Sequence, residues 1–161
     1  MKKIETERKF LIEMPQIQML KSLDNIRIIE ICQTYTTLGI RLRKCEEEGK
    51  VKFIKTIKTH LTDLSRIEQE SEISREEYES LLKYKCPDRI TLKKTRYCYP
   101  YKNKVIEIDI FPFWSKQAFC EVELNSETEE LCLPDFIKII REVTSEKAYR
   151  NYALSKEIPK E

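Results

Sequence analysis

Same-sign charged residues recur two positions apart through most of this chain, and that pattern constrains the fold more than any other feature. The pairs are Glu5 and Glu7, Arg41 and Arg43, Glu68 and Glu70, Lys94 and Arg96, Glu107 and Asp109, and Glu121 and Glu123. Because alternate residues of a β-strand point to the same side, each pair lies on one face, opposite Ile, Val, Leu and Phe. A face that only meets water would mix Ser, Thr, Gln and Lys freely. The fold must therefore bring the like-charged strand faces together on a surface that does more than meet water.

Period-two alternation dominates the chain and predicts strands. They cover about residues 3–12, 26–37, 39–46, 50–59, 65–73, 88–99, 103–112 and 118–125. The turns between them are short, so antiparallel hairpins are the natural pairing. Eight antiparallel strands favour a closed barrel because closure removes exposed sheet edges, with a β-sandwich as the alternative.

A few helices accompany the predicted strands and give a mainly β, α+β protein. Ser74 followed by Glu77 is a capping-box pattern. Pro134 predicts a second helix with an apolar stripe at Phe136, Ile137, Ile139 and Ile140, and Pro15 predicts a short helix that carries Ile17 and Leu20. The segment 145–155 is predicted as a last helix or turn. The apolar stripes need the apolar strand faces to pack on, so the charged faces point into the barrel.

Composition excludes several classes of protein. The 161 residues suit one domain, 1–161, and the 30 basic and 28 acidic residues nearly balance, which argues against nucleic-acid binding. Two glycines are too few for a P-loop or a dinucleotide fingerprint. No apolar run approaches the roughly 18 residues of a membrane span, and the charged N-terminal segment is unlike a signal peptide. We therefore expect a cytoplasmic protein that binds neither nucleic acid nor membrane.

Nucleophilic and zinc sites are equally disfavoured. The six cysteines include no C-x-x-C pair and are expected to be free thiols. His60 is the only histidine, and it lies in a predicted turn, so a Ser-His-Asp or Cys-His site is not expected.

A barrel interior that holds both carboxylates and cations needs a charged guest, because burying so many charges alone is costly. Arg and Lys suit phosphate oxygens, and carboxylates suit Mg²⁺ or Mn²⁺. A metal with a polyphosphate satisfies both sets, whereas a sugar or an apolar ligand satisfies neither.

The residues that form this pattern also resemble a known family. The segment Glu5-Thr6-Glu7-Arg8-Lys9 resembles the Glu-x-Glu-x-Lys signature of the CYTH superfamily, the triphosphate tunnel metalloenzymes. Later segments resemble that family's strands in the family's order, over nearly the whole chain. They are Arg41-Leu42-Arg43, Thr56-Ile57-Lys58, Arg66-Ile67-Glu68-Gln69-Glu70, Lys94-Thr95-Arg96, Glu107-Ile108-Asp109, Glu121-Val122-Glu123 and 143–151.

The resemblance implies an eight-stranded antiparallel barrel that forms a tunnel and hydrolyses triphosphate with Mg²⁺ or Mn²⁺. The short one-domain form is most similar to bacterial inorganic triphosphatases, which release pyrophosphate and phosphate. Nucleoside or thiamine triphosphatase and class IV adenylyl cyclase are alternatives within the family. A polyphosphate-binding module without catalysis is the alternative of another class.

Residue roles follow from the same resemblance. Metal ligands are expected at Glu5, Glu7, Glu121 and Glu123. Asp109, Glu107, Glu68 and Glu70 are second candidates, as metal ligands or as orienters of cations and water. Phosphate contacts are expected from Lys9, Arg41, Arg43, Lys58, Arg66, Lys94, Arg96, Lys147 and Arg150. The catalytic candidates are the Tyr35–Lys94 pair, which would help to activate water, and Glu68 and Glu70. A homodimer is plausible, with Phe111, Phe113 and Trp114 either exposed as its contact or packed under a helix.

Overall fold

The computed structural model describes residues 2–161, which form nine strands. The strands are β1 (Lys2–Glu13), β2 (Arg27–Tyr35), β3 (Arg41–Glu47), β4 (Lys50–His60), β5 (Ser65–Ile73), β6 (Leu92–Tyr101), β7 (Lys104–Ile110), β8 (Gln117–Glu123) and β9 (Ile139–Glu142). The helices are α1 (Ile17–Lys21), α2 (Arg75–Leu82) and α3 (Asn151–Leu154), with a 3-10 turn at Lys147–Tyr149. The eight predicted strands and the helices near Pro15, Ser74 and the C-terminal segment are confirmed.

Eight of the strands close into an antiparallel barrel. Their order around it is β5-β4-β3-β2-β6-β7-β8-β1, and β1 returns to pair with β5. The first half of β1 pairs with β5, from Lys2 opposite Gln69 to Thr6 opposite Ser65. The second half pairs with β8, starting with Glu7 opposite Glu123. The closed barrel is confirmed, and the sandwich is excluded.

The hairpin between β3 and β4 shows how local sequence sets the register of the barrel. Glu48 and Gly49 both have positive φ, 49° and 74°, between the paired residues Glu47 and Lys50. Positive φ at both central positions is the geometry of a type I′ turn, whose twist matches that of the strands. Glycine adopts this backbone without the steric cost that a side chain brings.

The predicted helix after Pro134 is wrong, because 139–142 form β9 instead. Pairing of β1 with β5 ends at Thr6, so the same edge of β1 continues beyond it, and β9 pairs there with Phe10, Leu11 and Ile12. Ile137 is buried while Ile139 and Ile140 are about half exposed, so the four apolar residues do not share one buried face. Backbone groups on an open edge need partners, and this tertiary pairing overrides the helical spacing.

Helices α1 and α2 pack on the apolar outer face of the barrel, as the sequence predicted. Leu20 of α1 is fully buried in a cluster with Ile12 and Ile106. Tyr78 of α2 packs on Phe53, with ring centroids 4.7 Å apart. Ser74 caps α2, since its side chain accepts a hydrogen bond from the Glu77 backbone N–H at 3.1 Å. Among residues 2–161, no helix is long and apolar enough to span a membrane.

An apolar cluster fills part of the barrel interior. Phe111 and Phe119 lie two positions from charged interior residues and so face the same way. They are buried with Trp114, whose indole N–H donates to the Pro159 carbonyl at 3.0 Å. Phe113 stacks on Phe111, with ring centroids 4.9 Å apart. Of the two expectations for these aromatics, packing within the chain holds for Phe111 and Trp114, which are buried.

Truncating the α1 anchor tests this packing. Leu20→Ala is expected to lower the free energy of unfolding by about 2–5 kcal/mol, because it empties a fully buried site. Leu38→Ala is the control, since Leu38 is 51% exposed, and it should change stability by less than about 0.5 kcal/mol. Urea denaturation measures both, and equal effects would contradict the assigned packing of α1.

Candidate active site

The barrel encloses a cavity of about 1030 Å³ with charged walls. Ten cationic side chains line it: Lys3, Lys9, Arg41, Arg43, Lys52, Lys58, Arg66, Lys94, Arg96 and Arg150. Seven carboxylates line it: Glu5, Glu7, Glu68, Glu70, Glu72, Glu107 and Glu121. Alternation brings them together, because the charged positions of the strands all face the interior. Thus the structure gathers most of the site residues that the sequence predicted.

Three predicted residues lie elsewhere. Asp109 is fully buried and does not line the cavity, since both its oxygens bind cations that do. Glu123 lies at a second cavity, of about 360 Å³, together with Glu7 and Glu121, and it pairs with Lys3 at 2.6 Å. Lys147 is exposed and is not among the lining residues, whereas Arg150 is.

The arginines of β3 are held by glutamates of β5. Arg41 Nη2 lies 3.1 Å from Glu68 Oε1, and Arg43 Nη2 lies 2.5 Å from Glu70 Oε2. The buried Nε atoms of Arg41, Arg43 and Arg66 have no hydrogen-bond partner among the described residues. Buried donors without a partner are costly, so these atoms are suited to an anion that enters the cavity.

Lys94 and Arg96 share the buried Asp109 carboxylate. Lys94 Nζ lies 2.5 Å from Oδ2, and Arg96 donates from Nε to Oδ1 at 2.7 Å and from Nη2 to Oδ2 at 2.8 Å. Burial lowers the pKa of Lys94 to about 8. Burial alone would raise the pKa of Asp109, but the Arg96 and Lys94 charges hold it well below its usual range. Asp109 therefore stays ionised and fixes both cations.

Aromatic rings lie beneath two of the lysines. Lys9 Nζ is 4.0 Å from the centroid of Phe119, and Lys94 Nζ is 5.7 Å from that of Phe111. Lys9 also lies 3.4 Å from Glu121 Oε1. The apolar cluster therefore lies directly beneath the charged side chains. Its low polarity strengthens the electrostatic interactions between them.

Like charges meet among the carboxylates. Burial and the negative charges of Glu121 and Glu5 raise the pKa of Glu7 to about 7. Burial also opposes ionisation of Glu5, but Lys58, at 3.2 Å, brings its pKa down to about 2. Burial and a hydrogen bond with Glu5 raise the pKa of Glu68 to about 7.

These carboxylates fit a divalent cation by their chemistry. No three His, Cys, Asp or Glu side chains within residues 2–161 are already clustered as ligands. Glu121 Oε1 is nevertheless buried and has no hydrogen-bond partner among residues 2–161, and burial together with the charges of Glu121 and Glu5 raises the pKa of Glu7. A hard cation would relieve both conditions.

Tyr35 lines the same cavity as Lys94. Its hydroxyl accepts a hydrogen bond from Gln33 Nε2 at 2.8 Å, and its ring meets Tyr152 edge-on, with centroids 5.1 Å apart. Burial raises the pKa of Tyr35. The sequence reasoning did not single out Gln33, Thr56, Asn151 or Tyr152 as lining residues. Alternation places Gln33 and Thr56 inside, but uncharged residues gave no signal of a site.

Comparison with known proteins agrees with this geometry. An inorganic triphosphatase of Acetivibrio thermocellus is 31% identical over 119 residues, which cover 73% of this chain and 72% of that protein. The chain belongs to the CYTH family of triphosphate tunnel proteins. A crystal structure of the inorganic triphosphatase NE1496 is 28% identical, with a TM-score of 0.59 over 97% of this chain and 100% of that one.

A conserved hypothetical protein of Pyrococcus furiosus has the same fold as this CYTH protein. It is 20% identical, with a TM-score of 0.54, and the match covers 77% of this chain and 80% of that one. No family model matches the chain.

The repulsion at Glu7 predicts a pH-dependent stability for this CYTH protein. The pKa of Glu7 is about 7 in the folded protein and has an ordinary value of 4.5, so the folded state holds an extra proton between those values. The folded state therefore loses relative stability as pH rises through this window. Glu7→Gln removes the charge, so it should raise the melting temperature of metal-free protein at pH 8 and change it little at pH 5.

Differential scanning fluorimetry in EDTA measures this difference. Glu13→Gln is the matched control, because Glu13 is exposed on the same strand, and it should shift the melting temperature equally at both pH values. A lower melting temperature for Glu7→Gln at pH 8 would contradict the repulsion.

Proposed function

We propose that this protein hydrolyses inorganic tripolyphosphate to pyrophosphate and phosphate inside the barrel, with Mg²⁺ or Mn²⁺. The observation that carries the proposal is the cavity wall, with ten cations and seven carboxylates among the described residues. The relatives named inorganic triphosphatase support the same reaction.

Charge balance favours a metal complex of the substrate. The lining side chains carry a formal net charge of +3, from ten cations and seven carboxylates. A terminal phosphate carries nearly two negative charges at neutral pH, so ionised tripolyphosphate carries about five in total. One divalent cation reduces this to about three, which matches the cavity. The free anion would leave an excess of negative charge in a partly dry site.

The cations divide into two groups. Arg41, Arg43, Lys58 and Arg66 come from β3, β4 and β5, and they would bind phosphate oxygens from one side of the barrel. The second group comes from β1 and β6 and consists of Lys9, Lys94 and Arg96. These side chains would bind phosphate oxygens from the other side, next to the rings of Phe111 and Phe119. Arg150 would close over the substrate from the C-terminal segment.

Glu5, Glu7 and Glu121 would hold the divalent cation, with Glu123 at the adjoining cavity. When bound, the cation would neutralise phosphate charge and lower the pKa of a coordinated water. Asp109 would act as an orienter of Lys94 and Arg96, because both its oxygens already bind them.

The reaction would be attack of water on a terminal phosphoryl group. The cations would stabilise charge on the transferring group and on the leaving pyrophosphate. Tyr35 and Lys94 would orient the water and help to activate it. No covalent nucleophile is required, which suits a chain whose cysteines are free and whose single histidine is exposed. Six free thiols also suit the reducing cytoplasm, where we place the protein.

Product analysis tests the proposal. We expect phosphate and pyrophosphate from tripolyphosphate with Mg²⁺ or Mn²⁺, loss of activity in EDTA, and lower kcat/KM with ATP and thiamine triphosphate. Cyclic AMP from ATP would indicate an adenylyl cyclase. Tight binding of tripolyphosphate without phosphate release would indicate a binding module and overturn the proposal.

The separate roles of Arg41 and Lys94 predict different kinetic effects. Arg41→Ala should raise KM for tripolyphosphate with little change in kcat, since Arg41 contributes mainly to ground-state binding. Lys94→Ala should lower kcat, and kcat/KM at least as much. Steady-state phosphate release measures both, and an unchanged kcat in Lys94→Ala would remove Lys94 from the chemical step.

Tyr35→Phe tests the hydroxyl alone. We expect kcat to fall at least tenfold, which corresponds to about 1.4 kcal/mol of barrier. Tyr97→Phe is a matched control, because Tyr97 belongs to the outer apolar cluster. Wild-type kcat in Tyr35→Phe would leave Tyr35 as a packing residue and direct attention to Glu68 and Glu70 as bases.

A further inference from the structure

Gln33 is a buried polar residue beside the proposed catalytic group. It lies on β2 two residues before Tyr35, so both side chains face the interior. It is 1% exposed and lines the cavity. Its amide Nε2 donates a hydrogen bond to the Tyr35 hydroxyl oxygen at 2.8 Å.

The direction of this hydrogen bond decides what the tyrosine can do. An amide nitrogen can only donate, so the phenol oxygen is the acceptor. The phenolic hydrogen therefore remains available for a different acceptor. Tyr152 restrains the ring, because it meets Tyr35 edge-on at 5.1 Å. With the ring and one lone pair fixed, the hydroxyl is held as a donor.

We propose that Gln33 is a positioning residue that holds the Tyr35 hydroxyl as a hydrogen-bond donor to a phosphoryl oxygen or to the attacking water. The inference rests on the proposed function, because it requires Tyr35 to act in the reaction. Burial raises the pKa of Tyr35, and the Arg41 charge and then the Gln33 hydrogen bond oppose that rise.

The stability of the fold does not by itself require the hydrogen bond between Gln33 and Tyr35. Replacing both partners of a buried hydrogen bond by apolar groups of similar shape is close to neutral. A purely structural Gln33 would therefore affect activity through the fold, whether or not the Tyr35 hydroxyl is present. A positioning Gln33 would affect activity only through that hydroxyl.

A double-mutant cycle separates these two possibilities. We would measure kcat and KM on tripolyphosphate for the wild type, Gln33→Met, Tyr35→Phe and the double variant. Methionine has similar length and no donor. Gln33→Met is expected to lower kcat about tenfold with KM within about twofold, and to cause no further loss when Tyr35→Phe is already present. An equal loss in both backgrounds would overturn the inference.

Two further variants keep the test decisive. Gln117→Met is the matched control, because Gln117 is a buried glutamine of β8 outside the cavity wall, and kcat should stay at the wild-type value. If Gln33→Met does not fold, Gln33→Glu keeps the size but accepts the phenolic hydrogen, so it should lower kcat only when the hydroxyl is present. Wild-type kcat in Gln33→Glu would overturn the inference.

Failure of the inference is distinguishable from failure of the proposed function. Wild-type kcat in Tyr35→Phe would overturn the role of Gln33 and leave triphosphate hydrolysis standing. Absence of turnover in the wild-type protein would overturn both.

Discussion

Charges inside a barrel have to be compensated, and the rest of this structure depends on how that is done. An ion removed from water without a partner costs several kcal/mol. Asp109 is fully buried and binds both Lys94 and Arg96, while Glu68 lies near both Arg41 and Lys58. The partners of each pair come from different strands. Closure of the barrel is therefore what makes a cavity with ten cations possible, and the pairs orient those cations before a substrate arrives.

β1 joins the closure of the barrel to the construction of the site. It pairs with β5, β8 and β9, and its interior positions carry Glu5, Glu7 and Lys9. A slip of one residue in either pairing would turn these side chains to the outer surface and bring Thr6 and Arg8 inside. The register that completes the sheet is thus also the register that completes the site.

The sequence predicts most of this fold because alternation is a local signal that survives in the folded chain. The eight barrel strands and the inward charged pairs follow from it. β9 does not, since the spacing of Phe136, Ile137, Ile139 and Ile140 suits a helix and only the open edge of β1 decides otherwise. The sequence also does not predict that Asp109 lies outside the cavity wall. That position depends on which of several carboxylates the buried Lys94 and Arg96 contact. Gln33 carried no charge to mark it, although alternation placed it inside.

The paired state of the cavity also explains why cations and carboxylates occur together in it. Arg41 and Arg43 already have partners in Glu68 and Glu70, so a phosphate that takes these arginines weakens two ion pairs. An anion alone would leave carboxylates uncompensated near Glu5 and Glu7, where burial and like charges already raise the pKa of Glu7 to about 7. A cation alone would leave arginines and lysines uncompensated in the same way. On the proposed function, each half of a weakened pair would gain a new partner when both bind, so binding of one would favour binding of the other, and by linkage the effect would be reciprocal. A wall made only of cations would bind the anion more tightly but would offer a metal ion no carboxylate ligands.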